Sequence, residues 1–251
     1  MYDDHNVYVR VTDGLLQPIK TTIGLKQGCG ISPLLFNLFI DGITKIFDKT
    51  CDPVKLAGED LSCLLWADDL VLMSTSATGL QNSINKTYQF YDNIGLQMNT
   101  KKTKVMIFNQ RGLKLTNIVF HVDGSPLEVV DEYQYLGIKF KPSGTFQVAV
   151  GELFDKANRA WFSISNVLYQ HKKMPVRKAL LLFDSLIRPI FLYAVEFWLP
   201  SIMTKKSFES VDNLIGFWEN FKAETLNQKV SRLLLSVHKK CSRLTVLGEL
   251  G

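Results

Sequence analysis

The chain is poor in the residues that usually mark a metal-stapled or secreted protein. Its 251 residues include four cysteines and four histidines. Cys29, Cys51, Cys63 and Cys241 form no Cys-x-x-Cys pair, and no histidine stands at zinc-finger spacing from them. A zinc finger and a disulfide scaffold are thereby excluded, and reduced thiols in an intracellular protein are expected. The opening Met1-Tyr2-Asp3-Asp4-His5-Asn6 is acidic and has no apolar core, so no secretory signal is expected. Long apolar runs are lacking as well. The most apolar stretch, Ala179 to Leu199, contains Asp184, Arg188, Pro189 and Glu196, charges that are costly at a bilayer centre. It reads as a buried, kinked helix, and no membrane partner is expected. Internal repeats and low-complexity tracts are absent too.

What is present is ordinary globular composition, 46% hydrophobic and 21% charged, enough for one large domain or two small ones. The net charge of +5 conceals an asymmetry: residues 1–100 carry 7 Lys/Arg against 11 Asp/Glu, and the rest carry 22 against 13. The second part therefore suits a polyanion better than the first, although its Lys and Arg are spread rather than clustered.

Patterning alternates between strands and helices up to about residue 145 and is helical beyond it. Residues 7–11 and 19–23 read as a hairpin around Asp13-Gly14. Ser32 and Pro33 open a helix to about Phe47, with Leu34, Leu35, Leu38, Phe39, Ile43 and Phe47 at helical spacing. A second helix is expected from about Gly79 to Ile94, with Thr78 as cap, Gln81 three residues on, and Gly95 as stop. Strands follow at 105–108, 118–122 and 133–140, then helices at 148–170, 175–199 and 207–236, the second bent at Pro189.

One place breaks the pattern. In Leu64-Leu65-Trp66-Ala67-Asp68-Asp69-Leu70-Val71-Leu72, two aspartates separate two apolar runs of strand length. A short polar break between such runs marks a β-hairpin, which puts the carboxylates at its tip. Two neighbouring anions without partners are expensive to desolvate, and a divalent cation with oxygen ligands is the economical neighbour. An Asp-containing turn in an ordinary hairpin is the competing reading. Upstream, Gly24, Gly28 and Gly30 allow close backbone approach to a ligand, and their segment runs directly into the start of the Pro33 helix, where free amides favour anions.

The order is what is specific: Gln27-Gly28, then Ser32-Pro33-Leu34-Leu35-Phe36 opening a helix, then Trp66-Ala67-Asp68-Asp69 about forty residues later. In this order the chain resembles the reverse transcriptases of non-LTR (LINE-type) retrotransposons. The likeness continues through Gly95 to Lys104, through Tyr135-Leu136-Gly137, and through Phe183 to Trp198 and Thr245 to Gly251, so it covers nearly the whole chain. It implies an α+β fold: a partial polymerase palm, an antiparallel sheet with helices, over residues 1–145, and an all-α thumb-like region over 146–251.

The resemblance also implies an RNA-directed DNA polymerase, a nucleotidyltransferase that takes an RNA template, a DNA primer and deoxynucleoside triphosphates, with two Mg2+ ions about 3.5–4 Å apart. Asp68 and Asp69 would hold the metal, Asp68 as the direct ligand. Gln27, Gly28, Ser32 and Pro33 would line the site for template and incoming nucleotide. Lys102 would meet the pyrophosphate leaving group, in competition with Lys101 and Lys104. Tyr135, Leu136 and Gly137 would form the primer grip. Lys156, Arg159, Lys172, Lys173, Arg177 and Lys178 are candidates for phosphate contacts. Trp161, Phe162, Trp198 and Trp218 are expected in the core.

The chain departs from the family pattern in three respects. A further carboxylate, carried by the family on a strand well before the Gln-Gly segment, has no counterpart, since Asp3, Asp4 and Asp13 lack its apolar strand context. Gly30 replaces a common proline, and Trp66 replaces the usual Tyr or Phe. Two readings stand: a fragment of a polymerase, inactive alone, or a catalytically silent nucleic-acid-binding or scaffolding module that retains the fold.

Overall fold

A computed structural model describes residues 5–12, 14–21, 24–26, 28–109, 117–170, 175–203 and 221–235. The protein is α+β, with short strands and helices divided between two compact units, Met1–Val105 with Thr116–Glu128 and Met106–Leu115 with Val129–Gly251. Among the described residues the strands form six small sheets rather than one continuous sheet. Each strand has five residues or fewer, which gives room for hairpins but not for a broad ladder.

In the first unit, β1 (His5–Val7) pairs with β4 (Ile19–Thr21), and β2 (Arg10–Val11) pairs with β3 (Gly14–Leu15). The expected hairpin is therefore present in two sections. Helix α1 spans Ser32–Ile40 and tightens into a 3-10 turn, Asp41–Lys45. Ser32 does not cap it: Ile31 holds the cap position, and Ser32 is buried in the first turn. The α-helical form stops just before Gly42, where a Cβ would stand 3.3 Å from the Phe90 ring. Ile40 and Ile43 are buried, whereas Leu34, Leu38 and Phe39 of the same apolar series are exposed.

Strands β5 (Val54–Leu56) and β6 (Glu59–Leu61) form one hairpin, and β7 (Cys63–Trp66) and β8 (Asp69–Leu72) form the next. Helix α2 (Ala77–Asn93) follows, capped by Ser76, whose Oγ accepts from the Gly79 amide at 2.9 Å. The cap is thus two residues before the expected Thr78. Ser76 wins because its own hydroxyl is held by the Asp52 carboxylate, a partner 24 residues away. Gln81 is engaged elsewhere, with His121. The buried side of α2 is small and partly polar: Gly79, Ser83, Ile84 and Thr87 face inward, and the Ser83 and Thr87 hydroxyls donate to carbonyls one turn back. Such back-bonding lets a hydroxyl be buried without an unmet donor. A three-stranded sheet closes the unit in the order β10 (Phe120–Val122), β11 (Ser125–Val129), β9 (Lys104–Val105). Asp123 and Gly124, both at positive φ, make the tight β10–β11 turn expected of an Asp-Gly pair. Strand β11 is an addition to the expected elements.

The second unit holds the β12 (Tyr133–Tyr135) and β13 (Ile138–Phe140) hairpin and the helices. Helix α3 runs Gln147–Gln170, close to expectation. The stretch expected as one bent helix is broken more than once: α4 (Val176–Leu182), a π-helical turn (Phe183–Ile187), α5 (Arg188–Phe191) with Pro189 in its first turn, and α6 (Val195–Met203). A wide turn directly before Pro189 accommodates a residue that cannot donate to the helix ladder. Helix α7 spans Lys222–Leu234, and the earlier part of the expected 207–236 helix lies outside the described residues.

The core of this unit gathers Ile138 from the hairpin, Leu153, Phe154, Ala157 and Trp161 from α3, Phe183, Ile187, Phe191 and Trp198 from the broken segment, and Leu226 and Val230 from α7. Trp161 meets Phe183 edge-on at 6.0 Å, and Trp198 stacks on Phe221 at 6.0 Å. Trp161 and Trp198 are therefore core residues as expected. Phe162 is not, at 68% exposed: one residue on from Trp161 is about 100° around the helix, on the solvent face. Trp218 lies outside the described residues.

Candidate functional site

The Asp-Asp segment forms the hairpin expected from its pattern. Trp66 pairs with Asp69 across β7 and β8, leaving Ala67 and Asp68 as a two-residue loop. Ala67 has φ +53° while Asp68 keeps a negative φ, the pattern of a turn that normally places glycine first. An alanine held there stores local backbone strain at the tip that carries the carboxylates. Because opposed residues share a face, Asp69 and Trp66 project on the same side, and Leu64 and Val71 continue that side down the hairpin. Cys63, Leu65, Leu70 and Leu72 take the other, half-buried side. Burial pushes the Cys63 thiol up from its ordinary pKa.

Both aspartates are exposed, and Trp66 beside them is 66% exposed. The root of the hairpin is fixed more firmly than its tip. The Met73 amide donates to Ser62 O at 2.7 Å, the Thr75 amide to Asp52 O at 2.9 Å, and Ser74 Oγ to Cys51 O at 2.8 Å. A lever anchored at its base and tight at its turn presents two carboxylates outward without burying them, so no desolvation cost arises in the free protein.

Among the described residues, no group of three or more His, Cys, Asp or Glu side chains comes together to hold a metal ion. A hard divalent ion held by one or two carboxylates takes its remaining oxygen ligands from water or substrate phosphates. Asp3, Asp4 and Asp13 lie outside the described residues.

The glycine-rich segment turns into α1 as expected. Gly28 has φ +80° and is exposed, the Cys29 amide donates to Lys26 O, and the Ser32 amide donates to Cys29 O. Pro33 stands in the first helical turn, and Ile31 offers no side-chain cap. Gln27 lies outside the described residues. Lys102 sits in a turn organised by Asn99, whose carbonyl and side-chain oxygen both accept the Lys102 amide at 3.1 Å. Of the three competing lysines, Lys104 is committed to an ion pair with Glu128 at 2.6 Å. No ion pair of Lys101 or Lys102 is formed among the described residues, and both are exposed.

In the second unit, Leu136 (φ +45°) and Gly137 (φ +80°) form the two-residue turn between β12 and β13. Positive φ at both positions matches the right-handed strand twist and makes the tip tight. The hairpin is pinned near its open end by ions: Lys139 reaches Glu152 of α3 at 2.5 Å and Glu132 at 3.4 Å, and Lys141 reaches Glu132 at 2.6 Å. Glu152 and then Glu132 raise the Lys139 ammonium pKa, and Lys141 and then Lys139 lower that of Glu132. Of the candidate phosphate contacts, Lys156, Arg159, Arg177 and Lys178 are exposed on α3 and α4, and Lys172 and Lys173 lie outside the described residues. A cleft of about 440 Å3 in the first unit is lined by Phe47, Asp48, Asp60 and Cys63, among others, and includes none of the expected site residues.

Residues 3–140, more than half the chain, match the family described as reverse transcriptase (RNA-dependent DNA polymerase), a stretch that contains the Asp68 hairpin and the Leu136 turn. The chain belongs to the reverse transcriptase family. It is 35% identical over 128 residues to the retrovirus-related Pol polyprotein from type-2 retrotransposable element R2DM of Drosophila melanogaster, covering 48% of this chain and 12% of that protein. With the corresponding polyprotein from type-1 retrotransposable element R2 of Nasonia vitripennis it shares 27% over 140 residues, 53% of this chain and 14% of that one. A probable RNA-directed DNA polymerase from transposon BS of Drosophila melanogaster is 23% identical over 220 residues, 84% of this chain and 23% of that protein.

This reverse transcriptase chain is thus of the non-LTR retrotransposon kind, and the matched segments are 12% to 23% of those relatives' lengths. The family is one of divalent-metal-dependent polymerases. Among the described residues, no helix is long and apolar enough to cross a membrane. Cys51 and Cys63 form no disulfide among the described residues. Tyr193, whose hydroxyl reaches the Leu136 turn, is a contact of that turn that sequence reasoning misses. Nothing local marks it, since its partner lies 57 residues away.

Proposed function

We propose that the chain is the carboxylate-bearing segment of an RNA-directed DNA polymerase of a non-LTR retrotransposon, and that alone it binds template–primer without extending it. The observation that carries this reading is the Trp66-Ala67-Asp68-Asp69 hairpin, tight at its tip, exposed, and inside the reverse transcriptase match. In this reading the first unit is part of the palm and the helices of the second form the thumb. Asp68 and Asp69 are the carboxylates the segment offers to magnesium, with Asp68 the direct ligand. The further carboxylate of the family pattern has no counterpart in the sequence, and a two-metal site shared by primer and triphosphate needs it, so the isolated chain does not extend a primer.

Gln27, Gly28, Ser32 and Pro33 line the position of template and incoming deoxynucleotide, where glycine backbone lets a flat base pair approach closely. Lys102 is the ammonium that faces the pyrophosphate, and the commitment of Lys104 to Glu128 supports that choice. Tyr135, Leu136 and Gly137 contact the primer strand. The unbridged Cys51 and Cys63 support an intracellular setting.

The test is primer extension by the purified 251-residue chain on poly(rA)/oligo(dT) with magnesium and dTTP, alongside fluorescence anisotropy of the labelled duplex. No extension and salt-sensitive binding are expected. Extension that Asp68→Asn abolishes would overturn the claim of inactivity. Binding no stronger than that of an unrelated protein of equal net charge would remove the nucleic-acid reading.

A further inference from the structure

The Leu136–Gly137 tip is held from outside its own hairpin. Tyr193 Oη donates to the Leu136 carbonyl at 2.7 Å, across 57 residues of sequence. The tyrosine ring lies alongside the turn as well: a Cβ built on Gly137 would stand 3.4 Å from Tyr193 Cε1. One side chain therefore both uses the close approach that glycine permits and satisfies the carbonyl that the turn points outward.

Tyr193 is itself held in a distinctive place. It lies between α5 and α6, where the helix breaks, and the next residue, Ala194, has φ +53°. Neither proline nor glycine stands among Leu192, Tyr193 and Ala194, so the break is made at the expense of a strained alanine rather than at a residue that prefers it. The Tyr193 carbonyl accepts the indole Nε1–H of Trp198 at 3.0 Å, and Trp198 is 2% exposed in the helical core. A continuous path of two hydrogen bonds thus runs from a buried indole, through Tyr193, to the tip of the hairpin. At the other end of the hairpin the Lys139–Glu152 pair ties it to α3. Ile138 of β13 is buried in the helical core as well, so the strands are seated, and the Tyr193 hydroxyl is what reaches the turn itself.

We propose that Tyr193 is a positioning residue, fixing the height and angle of the Leu136–Gly137 tip. This rests on the reading of that tip as the primer contact, for which a displacement of about 1 Å at a strand terminus matters to nucleotidyl transfer. The substitution that isolates the effect is Tyr193→Phe, which keeps the ring beside Gly137 and removes only the hydroxyl.

Two measurements on the 251-residue chain decide it. The first is hydrogen exchange of the 133–140 amides, referenced to those of the 149–157 core segment. Tyr193→Phe is expected to speed exchange at 133–140 about threefold and leave 149–157 unchanged, the low end for one hydrogen bond because Tyr193 is 48% exposed. The second is the emission of 2-aminopurine at the primer 3′ terminus, paired with a template uridine, in a saturated complex. Tyr193→Phe is expected to shift it, whereas a tyrosine that merely stabilised the fold would leave it unmoved. Unchanged exchange at 133–140, or equal acceleration in both segments, overturns the proposal, as does an unmoved terminus signal when wild type shows one. A wild-type complex without any terminus-dependent signal removes the primer-contact reading instead, and the exchange result then decides Tyr193 by itself.

Discussion

Gln81 and His121 exchange two hydrogen bonds as if they were neighbouring strands. Gln81 Nε2 donates to the His121 carbonyl at 2.8 Å, and the His121 amide donates to Gln81 Oε1 at 3.0 Å. β10 is an edge strand, and a primary amide offers the donor and acceptor that a further strand would supply. Helix α2 thereby covers a sheet edge with one side chain. Gln81→Ala should lower stability by about 1 kcal/mol, two solvent-accessible bonds at the low end of their range. Gln81→Glu, which keeps only the acceptor, should fall between. Urea unfolding curves of the three proteins check the order, and equal midpoints would contradict it.

Gly79 tests the packing that sets the start of α2. A Cβ there would stand 2.6 Å from Asp52 Cβ, Cys51 O and Ser74 Oγ, two of which belong to structure that cannot swing aside. Gly79→Ala should therefore destabilise by on the order of 2–3 kcal/mol despite alanine's better helix propensity. Ser76→Ala, which removes the cap together with the hydroxyl's bond to the Asp52 carboxylate, should cost about 1–2 kcal/mol. Thermal melts showing Gly79→Ala at or above the wild-type midpoint would disprove the assignment.

Acid should release a tether at the 3-10 turn Lys49–Cys51. The Lys86 ammonium, 2.6 Å away, and then Thr50 hold the Asp48 carboxyl down to about 2 from its ordinary 3.8. A folded-state pKa below the unfolded one means the contribution is complete above about pH 4 and lost as pH falls toward 2. Melting temperature from pH 5 to pH 2 should drop more steeply for wild type than for Asp48→Asn. Parallel profiles would show that the pair has no part in acid sensitivity.

Phosphate contact by α3 and α4 has its own signature. Replacing Lys156, Arg159, Arg177 and Lys178 with glutamine should weaken duplex binding without regard to sequence. It should also flatten the dependence of log affinity on log salt by about 0.9 for each contact removed. An unchanged slope would leave these four as solvated surface charges.

Much of the first unit is legible in the order of its residues. Two apolar runs around a polar break specify a hairpin because strand pairing and turn chemistry act over a few residues, and Asp68 sits at its tip accordingly. Asp123-Gly124 turns as an Asp-Gly pair should, and the 3.6-residue period gives α2 and α3 close to their observed bounds. The choice of Ser76 over Thr78 as cap is not legible there, because both are competent hydroxyls and Asp52 decides between them from 24 residues away.

The same division runs through the candidate site. Residue types and spacing along the chain suffice to place it in its family and to pick out the carboxylate pair, since those signals are local and ordered. Which lysine is committed, which of Trp161 and Phe162 is buried, and what holds the Leu136–Gly137 tip depend on partners brought together only by folding. A hydrogen bond or an ion pair is decided by separation in space to within an ångström, and separations of 24 or 57 residues leave no local periodicity by which a sequence could announce them.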